Sequence, residues 1–242
     1  MKTLMKLYIR EDITGRGRAM KDLYDDFTHL DSITLNHSVR VMLICREYWS
    51  YSNDKDLSML VDAALIHDIG KLYVSSAILD KVGTLSTLER RLVDLHPYIG
   101  YCVLNDYKIY SPINSLVLFH HGFDPVTLSS INPLRNKDIE DMAAMLHTVD
   151  VFEALTSDRP YHRGVSSKSA LNMMSDGRDK TFYSDVLMFL RFKSVNDRNS
   201  FVHRKKFSGS SPGCYVSSQE IRHMILNLDK YNFTCLKKAE VI

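Results

Sequence analysis

From about residue 32 to residue 192, apolar side chains recur at helical rather than strand spacing. Residues three and four apart share one side of a helix, so this rhythm makes amphipathic helices that must bury one stripe each. An all-α helical bundle follows. Ser32 is placed to cap a helix in which Leu35, Val39, Met42, Cys45 and Trp49 form one stripe, with His37, Val41, Ile44 and Tyr48 beside it. Leu57, Leu60, Val61, Ala64 and Leu65 define a second helix ending at His67-Asp68, with Gly70 placed to stop it. A third runs from about Ser86 to Leu95, and Pro97 marks the junction that carries His96. Ser111-Pro112 opens a helix through Ile113, Leu116 and Val117 to His120-His121, which Gly122 ends. After a loop over 123–136, a helix from Asp138 puts Ala143, Leu146, Asp150 and Ala154 on one face, and Ser166 starts another toward Met174.

Composition bounds what such a bundle does. The chain has 242 residues and a net charge of +2, too near balance for a protein that coats duplex nucleic acid or an anionic membrane. Residues 193–242 hold nine basic and four acidic side chains, a net of +5, so the basic character sits in the tail. The run His203-Arg204-Lys205-Lys206 reads as a solvated face. Cys45, Cys102, Cys214 and Cys235 stand far apart with no C-x-x-C among them, which fits a reduced, cytoplasmic setting. Leu4 to Ile9 is broken by Lys6 and has no cleavage-site pattern, and no apolar run reaches the roughly 18 residues of a membrane span. Three parts are expected: an N-terminal helical extension over 1–30, a body over 31–192, and a basic linker with a small C-terminal element over 193–242, including a short helix from Ser217 to Leu228. The sequence leaves room for a homo-oligomer.

Chemistry gathers in the histidines and their acidic neighbours. His37, His67-Asp68, His96, His120-His121 and Asp150 each fall at the end, or on the inward stripe, of a separate expected helix. Any one of them alone reads more readily as a hydrogen-bonded core group or a cap. Together they would make an expensive core, because each buried polar group costs several kcal/mol without a partner. A metal centre explains them at once, since rigid helices hold several ligands at fixed angles. Imidazole with carboxylate suits iron, manganese, zinc, nickel or cobalt.

These residues resemble a known family in order and spacing over roughly 30–192. His37-Ser-Val-Arg-Val, Leu65-Ile-His67-Asp68-Ile-Gly-Lys71, Ile78-Leu-Asp-Lys-Val-Gly83, His96-Pro-Tyr-Ile-Gly100, His120-His121 and Asp150-Val-Phe-Glu-Ala-Leu-Thr-Ser-Asp-Arg159-Pro-Tyr161 are similar to the HD-GYP branch of the HD phosphohydrolase superfamily. The resemblance implies an all-α HD-domain bundle and hydrolysis of a cyclic dinucleotide, chiefly cyclic di-GMP. It assigns His37, His67, Asp68 and Asp150 to one metal, with Asp68 bridging to a second held by His96, His120 and His121. The implied cofactors are two divalent transition-metal ions, iron or manganese ahead of zinc, nickel or cobalt. They would make hydroxide available for attack on phosphorus, with Asp68 and Lys71 in catalytic roles. Lys71, Arg159 and Arg163 would hold the substrate phosphate, and His147 belongs to the wall.

Three departures stand out. The Glu and Asp-Gly-x-Gly-Tyr-Pro loop that follows the paired histidines in the family is absent, and the chain runs directly into Gly122-Phe-Asp-Pro125. Ile33 stands where a third-metal carboxylate would lie, so at most two ions are expected. His162 replaces a basic residue, with Arg163 adjacent. The missing loop motivates two alternatives: an HD-superfamily phosphohydrolase acting on another nucleotide or phosphate ester, or a non-catalytic module that binds a cyclic dinucleotide.

Overall fold

In helix α3, Ser58–Ile66, every residue from Leu60 to Ile66 is buried. A helix buried on every side has to be central, and α3 packs against α2 (Ser32–Ser52), α7 (Ser111–Phe119) and α8 (Lys137–Thr156). The computed structural model describes residues 20–52, 57–107, 109, 111–122, 131, 133–158, 163–176 and 181–196. Among them there is no strand. The remaining helices are α1 (Met20–Thr28), α4 (Ser76–Leu79), α5 (Thr87–Val93), α6 (His96–Asp106), α9 (Ser167–Met174) and α10 (Ser184–Asn196), with a 3₁₀ segment at Ile69–Tyr73. The all-α expectation holds.

Local signals account for four of the helix starts. Ser86 and Glu89 form a capping box at α5, each side chain accepting from the other's backbone N–H. Asn136 caps α8 through Ile139 N, and Ser166 caps α9 through Ser169 N. At α2 the cap is Asp31, not Ser32: its Oδ1 accepts from Ile33 N at 3.0 Å and Thr34 N at 2.9 Å. The carboxylate, one position earlier, reaches two of the helix's orphan donors.

Gly70 has a different role from the expected helix stop. Its φ is not positive, and α3 has already ended at Ile66. A Cβ at Gly70 would lie 2.1 Å from His96 O and 2.6 Å from Gly100 N. The glycine exists because the 3₁₀ segment and α6 meet backbone to backbone. Gly122, by contrast, does take φ +93° and turns the chain after α7.

Described residues on either side of 31–192 pack onto the body. Leu23 and Phe27 of α1 are fully buried in it, and Tyr107 Oη donates to Asp26 Oδ2 at 2.6 Å. Helix α10 continues to Asn196, and Lys193 Nζ lies 2.8 Å from Glu47 Oε2 on α2. Of the tail expected over 193–242, residues 197–242, including the helix from Ser217, lie outside the described residues, as do Arg159, His162 and positions 123–130.

Candidate metal centre

Among the polar side chains buried in this bundle, His37, His67, Asp68, His96, His120, Asp150 and Glu153 form one connected cluster. Burying a Leu or Ile contributes roughly 1.5–3 kcal/mol, and one unpaired buried polar group can cancel that. The partners of these seven groups therefore decide what the centre is.

Three of the histidines are fixed in the same way. His67 Nδ1 meets Ala64 O at 2.8 Å, His96 Nδ1 meets Val93 O at 2.7 Å, and His120 Nδ1 meets Val117 O at 2.7 Å. Each carbonyl belongs to the last turn of a helix, α3, α5 or α7, where no intrahelical donor remains for it. A carbonyl only accepts, so each Nδ1 carries a proton, and in the neutral ring that leaves Nε2 with the lone pair. Those Nε2 atoms converge. His96 Nε2 and His120 Nε2 are 3.2 Å apart, His96 Nε2 is 3.1 Å from Asp68 Oδ1, and His67 Nε2 is 3.4 Å from Asp68 Oδ2 and 3.9 Å from Asp150 Oδ1. His67 Nε2 has no hydrogen-bond partner.

His37, on α2, enters from the other side. Its Nε2 lies 2.9 Å from Asp150 Oδ1 and 3.7 Å from Asp68 Oδ2, and its Nδ1 meets Glu153 Oε2. Glu153 Oε1 accepts from Arg40 Nε and from Ser157 Oγ. Asp68 Oδ2 takes the Lys71 ammonium at 2.7 Å. His121, with 41% of its side chain exposed, closes the solvent side, its Nε2 3.9 Å from Asp150 Oδ2. His147 stands edge-on to His121 and stacks on Phe182, in the wall.

Electrostatics follow from this crowding. Burial, with His121, His67 and His96 beside it, pushes His120 far below the usual imidazole range. Burial also lowers His67, against the pull of Asp68 and Asp150. Burial lowers His121 to about 4, despite its one open edge, with His96 and His147 adding to the effect. Burial opposes charge on His37 too, yet its hydrogen bonds to Asp150 and Glu153 outweigh that and raise it to about 9. Burial likewise opposes charge on Asp68 and Asp150. Lys71 and the imidazoles of His67 and His96 nevertheless hold Asp68 well below the carboxylate range, and His37, His67 and His121 do the same for Asp150.

The donor set fits divalent ions. Three groups offer ligand atoms within 4.8 Å of one another: His37, His67 and Asp150; His96, His120 and His121; and His67, Asp68 and His120. The third shares His67 with the first and His120 with the second and adds Asp68 between them. Two imidazole lone pairs facing each other at 3.2 Å repel unless a cation or a proton lies between them.

Residues 34–155 match the family model described as the HD domain. The chain belongs to the HD domain family. Among curated relatives, this HD domain chain is 36% identical over 151 residues to a 3'3'-cGAMP-specific phosphodiesterase of Vibrio cholerae, covering 59% of this chain and 31% of that one. It is 36% identical over 114 residues to a cyclic di-GMP phosphodiesterase of Pseudomonas aeruginosa, covering 47% and 28%, and 26% identical over 138 residues to a cyclic di-GMP phosphodiesterase response regulator of Xanthomonas campestris, covering 54% and 35%. The chain thus spans about a third of the length of these relatives. HD domains bind divalent metals, and no helix among the described residues is long and apolar enough to cross a membrane.

The structure brings together His37, His67, Asp68, Lys71, His96, His120, His121 and Asp150. Arg163 is exposed and outside the buried cluster, on the segment leading into α9. Arg159 lies outside the described residues. Sequence reasoning missed Glu153 and Arg40. The signal was available: Glu153 sits one helical turn after Asp150, and Arg40 one turn after His37, so each shares a face with a residue already singled out. The carbonyls of Ala64, Val93 and Val117 carry no signal in side-chain identity.

Proposed function

We propose that this chain is a metal-dependent phosphodiesterase that opens a cyclic dinucleotide, with cyclic di-GMP the first substrate and 3'3'-cGAMP the second. The observation that carries the reading is the 3.2 Å approach of His96 Nε2 to His120 Nε2 while both Nδ1 protons are committed to carbonyls, an arrangement that calls for a cation. Two ions, iron or manganese first, would be held by His37, His67, Asp68 and Asp150 on one side and Asp68, His96, His120 and His121 on the other. When bound, such a pair supplies Lewis acidity toward phosphoryl oxygens and makes a water nucleophile accessible near neutral pH.

The chain's own residues do the rest. Asp68 has an oxygen toward each half of the cluster, which suits it to link them rather than act as a base. Lys71 Nζ, now on Asp68 Oδ2, is the nearest ammonium to the centre and would move onto a non-bridging phosphate oxygen as charge grows there. Arg159 and Arg163 follow the last catalytic helix and would grip the outer phosphate. His121 is the one ligand with an open edge, so substrate enters past it. We place the hydrolase unit at 31–192 with α1 packed into its core, and the protein in the cytoplasm.

The test is turnover. Anaerobically purified protein loaded with iron or manganese should convert cyclic di-GMP or 3'3'-cGAMP to linear product on a chromatogram, and Asp68→Ala should not. Fully loaded, folded protein that cuts neither dinucleotide sinks the reading. One sequence observation favours a second reading: the loop that runs directly from His121 into Gly122-Phe-Asp lacks the family's Asp-Gly-x-Gly-Tyr-Pro segment. A different phosphate ester, or binding without cleavage, would then be seen in a substrate panel and a binding titration.

A further inference from the structure

We propose that Glu153 is a positioning residue: it keeps a proton on His37 Nδ1, so that Nε2 is the nitrogen His37 delivers as a ligand. This rests on the metal-centre reading above. His67, His96 and His120 have their tautomers set by backbone carbonyls. His37 differs, because its Nδ1 faces a side chain, Glu153 Oε2. Glu153 is 2% exposed, and its position is over-determined. Its other oxygen, Oε1, receives Arg40 Nε and Ser157 Oγ, while its backbone is held within α8, where Ser157 N donates to Glu153 O at 3.0 Å. The carboxylate can neither rotate away nor present anything but an acceptor to His37.

Glutamine at this position has a calculable consequence. Arg40 only donates, so the site of Oε1 has to remain an acceptor. The amide oxygen of Glu153→Gln must therefore occupy it, which places the NH2 group opposite His37 Nδ1. That nitrogen then accepts, and the proton moves to Nε2. There it is welcome, since Asp150 Oδ1 lies 2.9 Å away. The variant keeps the shape of Glu153 and its hydrogen-bonded neighbours while losing the charge that pairs with Arg40 and His37, and His37 no longer offers a lone pair to a metal. Glu153→Ala does the reverse: it opens a void beside Arg40 and leaves His37 free to take either tautomer.

The two variants separate a positioning role from a structural one. If Glu153 merely packs and pairs, glutamine is the benign change and alanine the harmful one. If it sets the tautomer, glutamine is worse for metal binding although it folds better. Adding Arg40→Met to Glu153→Gln removes the obligate donor, lets the amide turn its oxygen to His37, and should restore binding.

The experiment uses the full chain, stripped by chelator and titrated with Mn2+, for wild type, both single variants and the double variant. Melting in chelator and long-range 15N–1H spectra of the imidazoles are recorded alongside. Expected for Glu153→Gln is a melting point in chelator above that of Glu153→Ala, His37 Nδ1 without its proton, and Mn2+ affinity at the His37 position weakened about 10–100-fold, the usual cost of removing a ligand's orienting partner. The double variant should recover most of that loss. Wild-type affinity in Glu153→Gln, a protonated Nδ1 in it, or losses in both variants that simply follow their melting points would each overturn the proposal. If wild type itself takes up no Mn2+, the metal reading fails, while the imidazole spectra still decide the role of Glu153.

Discussion

His96 Nε2 and His120 Nε2 face each other at 3.2 Å, each with its opposite nitrogen bonded to the carbonyl of Val93 or Val117. The two Nε2 atoms so arranged aim at one point, and an ion bound there would replace a close nitrogen–nitrogen contact with coordination. Metal removal is therefore expected to destabilise the protein. A ligand present at 100 times its Kd adds about 2.7 kcal/mol, and for a domain of this size 1 kcal/mol moves Tm by roughly 2–4 °C. Chelation should lower Tm by about 5–10 °C in a calorimetric scan, and an unchanged Tm would mean no ion was bound.

Metal-free protein should be most stable near pH 6.5. His67, His120 and His121 have folded values below the ordinary 6.5. Below pH 6.5 the unfolded chain therefore binds protons that the folded chain refuses, and stability falls as pH falls. His37 is raised from 6.5 to about 9. Its contribution is complete below 6.5 and is lost as pH rises toward 9. Urea unfolding of chelated protein from pH 5 to 9 should give a maximum near the middle. With metal bound, the fall above 6.5 should vanish, because the ion replaces the proton on His37.

Gly70→Ala should break the centre without touching a ligand. The new Cβ would sit 2.1 Å from His96 O, so the 3₁₀ segment and α6 must separate. That parts Asp68 from His96, now 3.1 Å apart. Overpacking of this kind costs about 1–3 kcal/mol and sometimes more. Denaturant melts should show that loss, and elemental analysis should show reduced metal.

Helix spacing made the bundle legible, because a stripe such as Leu35, Val39 and Met42 is a direct print of burial. The ligands were legible because histidine and aspartate at inward helix ends are costly, and cost in a core demands a reason. What escaped was everything the backbone supplies. Asp31 took the capping place expected of Ser32 because two orphan N–H groups lay within its reach, a matter of loop path. Gly70 looked like a helix stop, while its purpose is a contact with a segment 26 residues away at His96. Glu153 carried a spacing signal, yet nothing local says that its partner is His37, 116 residues distant.

Phe27→Ala tests whether α1 belongs to the folded body. Phe27 is fully buried in the common core. Truncating a buried Phe costs about 3–5 kcal/mol. If α1 were a loosely attached extension, the unfolding midpoint would barely move.

Lys71 offers the sharpest division between holding the fold and handling phosphate. Its ammonium sits 2.7 Å from Asp68 Oδ2 with 17% of the side chain exposed, so the stem is held and the head can turn toward the opening. In the substrate-free protein it neutralises an oxygen that a metal would otherwise claim. Lys71→Met keeps the stem and removes the charge. If Lys71 serves only as the partner of Asp68, the variant should lose stability in chelator and be fully rescued by saturating metal, with kcat intact. If it meets the phosphate as negative charge develops, metal content should stay at the wild-type level while kcat falls about 10²–10³-fold, the scale of losing one transition-state donor. KM should change far less, because the interaction strengthens only as the reaction proceeds. A kcat within threefold of wild type in fully loaded Lys71→Met would leave Lys71 as a charge partner of Asp68 and would shift phosphate binding onto the arginines that follow α8.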